Sequence, residues 1–153
     1  EKADRKQYST HSFGAQFAEV RVDEALGTVR VVRMVGAFSA GRFLNRKTAR
    51  SQLLGAMVWG IGLALEEHTE RDPRTGRVVT KDLADYHVPV HADVGELDVL
   101  MIDEEDEHVN DVGAKGIGEI GIVGTGAAIA NAVFHATGRR VRDLPILPER
   151  LLA

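Results

Sequence analysis

The sequence predicts an α+β fold, a β-hairpin and short mixed strands packed on two main apolar helices, and three observations carry that expectation. Apolar and polar residues roughly alternate from Phe13 to Val22, and again from Thr28 to Val35 beyond a turn-like "DEALG". A helix is expected from about Arg46 to His68, polar in its first turn and apolar nearly all round from Leu53 onward. A second, small-residue helix is expected from about Gly121 to Thr137, closed by Gly138 as a C-cap.

Each element has its own signature. Both hairpin strands shift phase midway, at Phe17-Ala18 and at Val31-Val32, which predicts bulges or burial on both faces. The first helix, apolar on every side, must be enclosed by protein. Its run from Leu53 to Leu65 falls short of the roughly 18 residues that span a bilayer. "RDPRTGR" from Arg71 to Arg77 is a turn cluster, and the following residues to Val94 carry no clear pattern. "ELDVLMID" from Glu96 to Asp103 reads as a strand, and the acidic "EEDEH" after it as a solvated loop. No internal repeat or low-complexity linker divides the chain, so residues 1–153 are expected to form a single domain.

Composition narrows the function classes. With 44% hydrophobic and 27% charged residues, the balance is that of an ordinary globular protein. A net charge of -4, with the basic residues scattered, offers no general attraction to nucleic acid or to an anionic membrane. The chain has no cysteine, which excludes disulfides, thiolate nucleophiles and cysteine-ligated iron–sulfur clusters within it. The opening "EKADRKQYST" lacks the apolar stretch of a secretory signal and reads as a chain entered partway, one piece of a larger polypeptide.

The chemistry concentrates in "KGIGEIG", where Glu119 stands among glycines just before the second helix. Bare backbone N–H groups at a helix start favour anions and phosphates. "GIGEIG" matches G-x-G-x-x-G, but an acidic loop precedes it, and Arg139 and Arg140 follow where a dinucleotide site needs a carboxylate. The same glycines also suit a tight turn whose carboxylate caps the helix. Glu119 could equally be a general base, ionised beside the helix start and partly desolvated. Gln52, where the first helix turns from polar to apolar, needs partners as it becomes buried, and a polar heterocycle or a nearby backbone group would serve. His87 and His91, four apart around Pro89, could share a face with Asp85 or Asp93 and hold a metal, although such histidines are more often surface or core polar groups. "EEDEH" lacks the spaced oxygens and glycine of a calcium loop.

Three stretches, "HSFGAQFAEVRVDEALGTVRVVRMVGAFSAGRFLN", "ARSQLLGAMVWGIGLALEE" and "GAKGIGEIGIVGTGAAIANAVFHATGRRVRDLPILPERLL", together resemble the C-terminal end of the molybdenum-binding subunit of the xanthine dehydrogenase and aldehyde oxidase family. The resemblance implies a molybdopterin-type molybdenum cofactor, in some members its cytosine dinucleotide form, with the metal held by the cofactor and not by side chains. It implies that Glu119, in the "K-G/A-x-G-E" motif, is the catalytic base. Gln52, Gly55, Lys115, Gly116, Ile117 and Gly118 are by the same resemblance the cofactor-binding residues. The implied reaction hydroxylates an aldehyde or N-heterocycle with water as the oxygen source.

Partners follow from the same likeness: the rest of the molybdenum subunit, an iron–sulfur subunit and in some members an FAD subunit, with neither cluster nor flavin in this chain. Nucleic acid and membrane are not among the expected partners. The compartment implied is the cytoplasm, or the periplasm for a complex exported with a partner. Where the bacterial members usually read Asn-Pro, this chain has Asn45-Arg46 and Asn110-Asp111, which bears on loop geometry more than on chemistry. Two other readings stay open, a nucleotide-binding fragment using "GIGEIG" and a non-catalytic assembly module of the same fold. An all-round apolar helix without its upstream cover also predicts self-association of the isolated chain.

Overall fold

The computed structural model describes residues 7–152. Strands β1 (Phe13–Asp23) and β2 (Thr28–Ser39) form the expected antiparallel hairpin, each longer than its alternation suggested. Asp23 builds the turn by accepting the N–H groups of Ala25 and Leu26 on its side chain, and Gly27 supplies the left-handed φ of 68°. Glu19 pairs with Arg33 and Val20 with Val31, so Val32 is the extra residue of a bulge. The phase shift at Val31-Val32 is thus a real irregularity. That at Phe17-Ala18 is not: β1 alternates strictly, with Gln16, Ala18, Val20 and Val22 turned inward and Phe17 left outside, 69% exposed.

Asn45 caps helix α1 (Arg46–Leu65), its side chain accepting the N–H groups of Lys47 and Thr48. The helix stops at Leu65, three residues before the expected His68, and after a turn-rich stretch with one isolated bridge, Arg71 to Val78, the chain returns as β3 (Glu96–Ile102). This strand lies parallel to β2, which therefore occupies the centre of a three-stranded mixed sheet. The small-residue helix is interrupted at Gly124 into α2 (Ile120–Val123) and α3 (Thr125–Thr137), and Gly138 closes it at φ 73° as expected. A last turn, α4 (Glu149–Leu152), packs Leu151 inward.

The core sits between the inner face of the sheet and the helices, with Val31, Met34, Phe38, Leu53, Met57, Ile61, Ile129 and Val133 buried. The expectation that α1 is enclosed on every side holds only in part. Leu53, Met57, Gly60, Ile61 and Ala64 face the core, whereas Trp59 (56% exposed) and Leu63 lie open. An apolar circumference can leave one stripe outside when neighbours cover only the others. Residues 120–137 reach a mean hydropathy of 1.4, enough by composition for a membrane span. Here Gly121, Thr125, Ile129 and Val133 are buried within the domain, α3 against β1 and α1, so one face of the span packs on the domain while 28% of it in all is buried.

Close approach positions the glycine-rich segment. A Cβ on Gly121 would stand 2.7 Å from Ala56 Cβ and 2.9 Å from Leu53 O, and one on Gly60 would collide with the Thr125 side chain. These two glycines let α1 and the α2–α3 pair touch backbone to backbone. Gln16 on β1 locks the junction, donating from Nε2 to Gly121 O (2.9 Å) and accepting the Thr125 hydroxyl on Oε1 (2.6 Å).

Candidate functional site

Between the N-terminal turns of α1 and the segment Ala114–Gly118 lies an open groove of about 460 Å3, lined by Arg42, Phe43, Asn45, Gln52, Lys115 and Gly118 among others. Of the residues singled out from the sequence, Gln52, Lys115, Ile117 and Gly118 line it directly. Gly116 lines the adjoining depression beside Ser12 and Asn110. Gly55 lies on α1 one turn beyond Gln52, and Glu119 stands one residue past Gly118 as the N-cap of α2. Gln52 and the glycine segment, 66 positions apart, are joined by a hydrogen bond from Gln52 Nε2 to Gly118 O at 3.1 Å.

The backbone of this segment is oriented in one sense. The carbonyls of Ala114, Gly116 and Gly118 accept from Asn110 Nδ2 (2.7 Å), Ser12 Oγ (2.8 Å) and Gln52 Nε2. The N–H groups of Gly116, Ile117 and Gly118 have no acceptor among the described residues. A ligand here meets donors, which suits oxygen-rich or anionic groups.

The glycines themselves are informative. A Cβ on Gly55, Gly116 or Gly118 would find no atom within 4 Å, and none of the three has a positive φ. Nothing inside the chain requires glycine at these positions, unlike at Gly41, where φ is 65° and a Cβ would strike Gly113 O. The Glu119 side chain makes no capping hydrogen bond, so the capping role open to it in the sequence is not the one it plays. Its carboxylate is exposed and makes no hydrogen bond among the described residues.

Lys115 is committed. Its side chain is only 5% exposed, and Nζ donates to both Glu104 oxygens (3.0 Å) and to His11 O (3.3 Å) and pairs with Asp106 Oδ2 (2.9 Å). The buried Ser39 hydroxyl donates to Glu104 Oε2 (2.9 Å). The acidic run after β3 is therefore no freely solvated loop: two of its carboxylates are folded onto a buried ammonium that could not otherwise leave water. Burial pulls Lys115 toward losing its proton, but the bonds to Asp106 and Glu104 overcome this and leave its pKa above the ordinary lysine value. Hydrogen bonds from Lys115 hold Glu104, with help from Ser39, and Asp106 below the usual carboxylate range.

Both departures from Asn-Pro are compensated locally. Asn45 supplies the α1 cap, Arg46 reaches Asp103 at 2.6 Å, and Asn110 accepts the N–H groups of Val112 and Ala114. His87, His91 and their neighbouring aspartates do not assemble a metal site, and among the described residues no three His, Asp or Glu side chains gather where they could hold an ion. "GIGEIG" follows a loop and not a strand, which removes the structural context of a dinucleotide fingerprint. Sequence reasoning missed Gln16, Thr125, Ser12 and the Glu104–Asp106 pair; only the nearness of Lys115 to an acidic run hinted at the last.

The donor set tests what could bind. Free N–H groups, an amide side chain and glycines open to close approach fit a ligand that presents oxygens to the protein, and among the described residues no cluster of metal-ligating side chains is found.

Residues 1–95 match the family described as the molybdopterin cofactor-binding domain. The chain is 50% identical over 147 residues to the aldehyde oxidoreductase molybdenum-binding subunit PaoC of Escherichia coli K12, a match that covers 96% of the chain and 20% of that protein. It is 37% identical over 140 residues to the xanthine dehydrogenase molybdenum-binding subunit of Escherichia coli O157:H7, covering 92% of the chain and 18% of the relative. Among solved structures, the aldehyde oxidoreductase of Desulfovibrio gigas superposes with a TM-score of 0.82 at 31% identity, over 92% of this chain and 15% of that one. The chain spans about a fifth of the length of the curated relatives it matches.

Proposed function

The chain belongs to the molybdopterin cofactor-binding domain family of xanthine dehydrogenase and aldehyde oxidase type, and from that premise we propose that it forms the C-terminal part of a molybdenum hydroxylase's large subunit, supplying one wall of the cofactor site and the catalytic base. The observation that carries this reading is that Gly116 and Gly118, where an added Cβ would meet nothing among the described residues, lie beside unspent N–H groups at 116–118 and the exposed carboxylate of Glu119.

When bound, the cofactor supplies the redox chemistry and the activated oxygen that hydroxylates the substrate. Gly116, Ile117 and Gly118 would hold it by donating backbone N–H bonds to its oxygens, Gln52 fixes the edge of the groove through Gly118, and Gly55 would allow approach along α1. Glu119 would accept the proton released during hydroxylation, a role open to it because no other group among the described residues uses its carboxylate. The substrate is an aldehyde or an N-heterocycle.

The partners are the remainder of the subunit and electron-accepting iron–sulfur and FAD subunits; the cofactor is the dinucleotide or the simple pterin form, and the compartment the cytoplasm, or the periplasm for an exported complex. Alone, the chain self-associates through Phe17, Trp59, Leu63 and Val123, all exposed apolar side chains.

Gly118→Ala in the complete subunit tests the wall. The new methyl would find no atom within 4 Å among the described residues, so folding should be unchanged by circular dichroism while molybdenum per subunit falls at least tenfold; parental molybdenum content would refute the reading.

A further inference from the structure

The Lys115 side chain runs into a cage made by the acidic loop, where Glu104 and Asp106 hold its ammonium. We propose that Lys115, Glu104 and Asp106 form a positioning clamp that sets the backbone of Ala114–Gly118, so that Lys115 serves the cofactor wall through its own peptide and not through its charge. The proposal rests on the reading of this segment as that wall.

Five contacts converge on the clamp. Lys115 Nζ is within 3.0 Å of oxygens from both Glu104 and Asp106 and also donates to His11 O, which leaves the ammonium no proton for a ligand. Lys115 N–H donates to Ala40 O (2.9 Å), fixing the peptide against the end of β2. Ser39, paired with Ile102 in the parallel ladder, donates to Glu104 and ties the clamp to the sheet. With Nζ held on one side, the carbonyls at 114, 116 and 118 fall to Asn110, Ser12 and Gln52, and the N–H groups at 116–118 are left over. A rigid supporting layer of this kind places donors better than a loop free to rotate its peptides.

The alternative is direct contact of the Lys115 ammonium with the cofactor, and the carboxylates separate the two. Asp106→Asn and the double variant Glu104→Gln/Asp106→Asn would be compared with Lys115→Met in the complete subunit with its partner subunits. Three quantities are read: hydrogen exchange at the Ala114 and Lys115 amides, molybdenum per subunit, and the Mo(V) spectrum of the reduced enzyme. The clamp predicts exchange at least tenfold faster at those two amides in all three variants, with β1 and α3 at parental rates. It also predicts at least a twofold loss of molybdenum and an altered Mo(V) spectrum in what remains. Parental exchange in both carboxylate variants would overturn the clamp. Molybdenum lost only in Lys115→Met would overturn it in favour of direct contact. Faster exchange with parental molybdenum and spectrum in all three variants would leave the clamp standing as structure but overturn its role at a cofactor wall. That last outcome separates failure of the wall reading from failure of the clamp. The near-isosteric Asp106→Asn keeps the test readable if the bolder variants fold poorly.

Discussion

Gly55→Ala sets stability against function at one atom. Gly55 lies mid-helix in α1, is exposed, and would present its new methyl to open space, with no atom within 4 Å. No contact within the chain is gained or lost, so the change reduces to helix propensity, about 0.5–1 kcal/mol in favour of alanine. For a domain of this size that raises the melting temperature by roughly 1–4 °C. If a cofactor packs against the bare backbone, the same methyl intrudes on a close contact and costs about 1–3 kcal/mol of binding, which is about five- to 150-fold in affinity. Thermal melts of the chain and molybdenum analysis of the complete subunit at limiting cofactor should therefore move in opposite directions. A variant that is more stable and fully loaded would mean that nothing approaches Gly55. A destabilised variant would mean that the space is not open.

Other consequences follow from the packing and the charges. Gly121→Ala places a methyl 2.7 Å from Ala56 Cβ and 2.9 Å from Leu53 O, so α2 must retreat; denaturant unfolding should show a loss of about 1–3 kcal/mol, and a loss below about 0.5 kcal/mol, the scatter of a neutral surface change, would contradict the backbone contact. For the clamp, Glu104 and Asp106 titrate lower in the folded chain than in the unfolded one, so their contribution is present above the ordinary carboxylate values and is lost as pH falls through the folded ones. Lys115 titrates higher than its ordinary value of 10.5, so its contribution is complete below that value and is lost as pH rises through the folded one. The melting-temperature gap between the parent and Asp106→Asn should therefore hold steady from about pH 5 to 9 and close in acid; a gap that persists in acid would exclude the ion pairs as its cause.

Local periodicity made the hairpin, α1 and β3 legible, because alternation and the 3.6-residue repeat report which side of an element is buried. It could not report how many sides. Trp59 and Leu63 read like Met57 and Ile61, yet only the latter pair is buried. The break at Gly124 was invisible because Gly121 and Gly126, also in the run, are glycines kept for packing and not for ending a helix. Residue type and family likeness pointed to Gln52 and Glu119, and the fold adds the 3.1 Å bond that joins Gln52 to the glycine segment. The commitment of Lys115 to Glu104 and Asp106 was not legible, since a charge run looks solvated until the chain folds an ammonium into it.

The central claim, that Glu119 is the base of a molybdenum hydroxylase, is tested most directly by Glu119→Gln in the complete enzyme, with turnover and molybdenum measured on the same preparation. The substitution is nearly isosteric and touches no side-chain hydrogen bond among the described residues. Molybdenum content should stay near parental while turnover falls by about 10²- to 10⁴-fold, the usual contribution of a positioned base; turnover within tenfold of the parent at full molybdenum content would contradict the assignment.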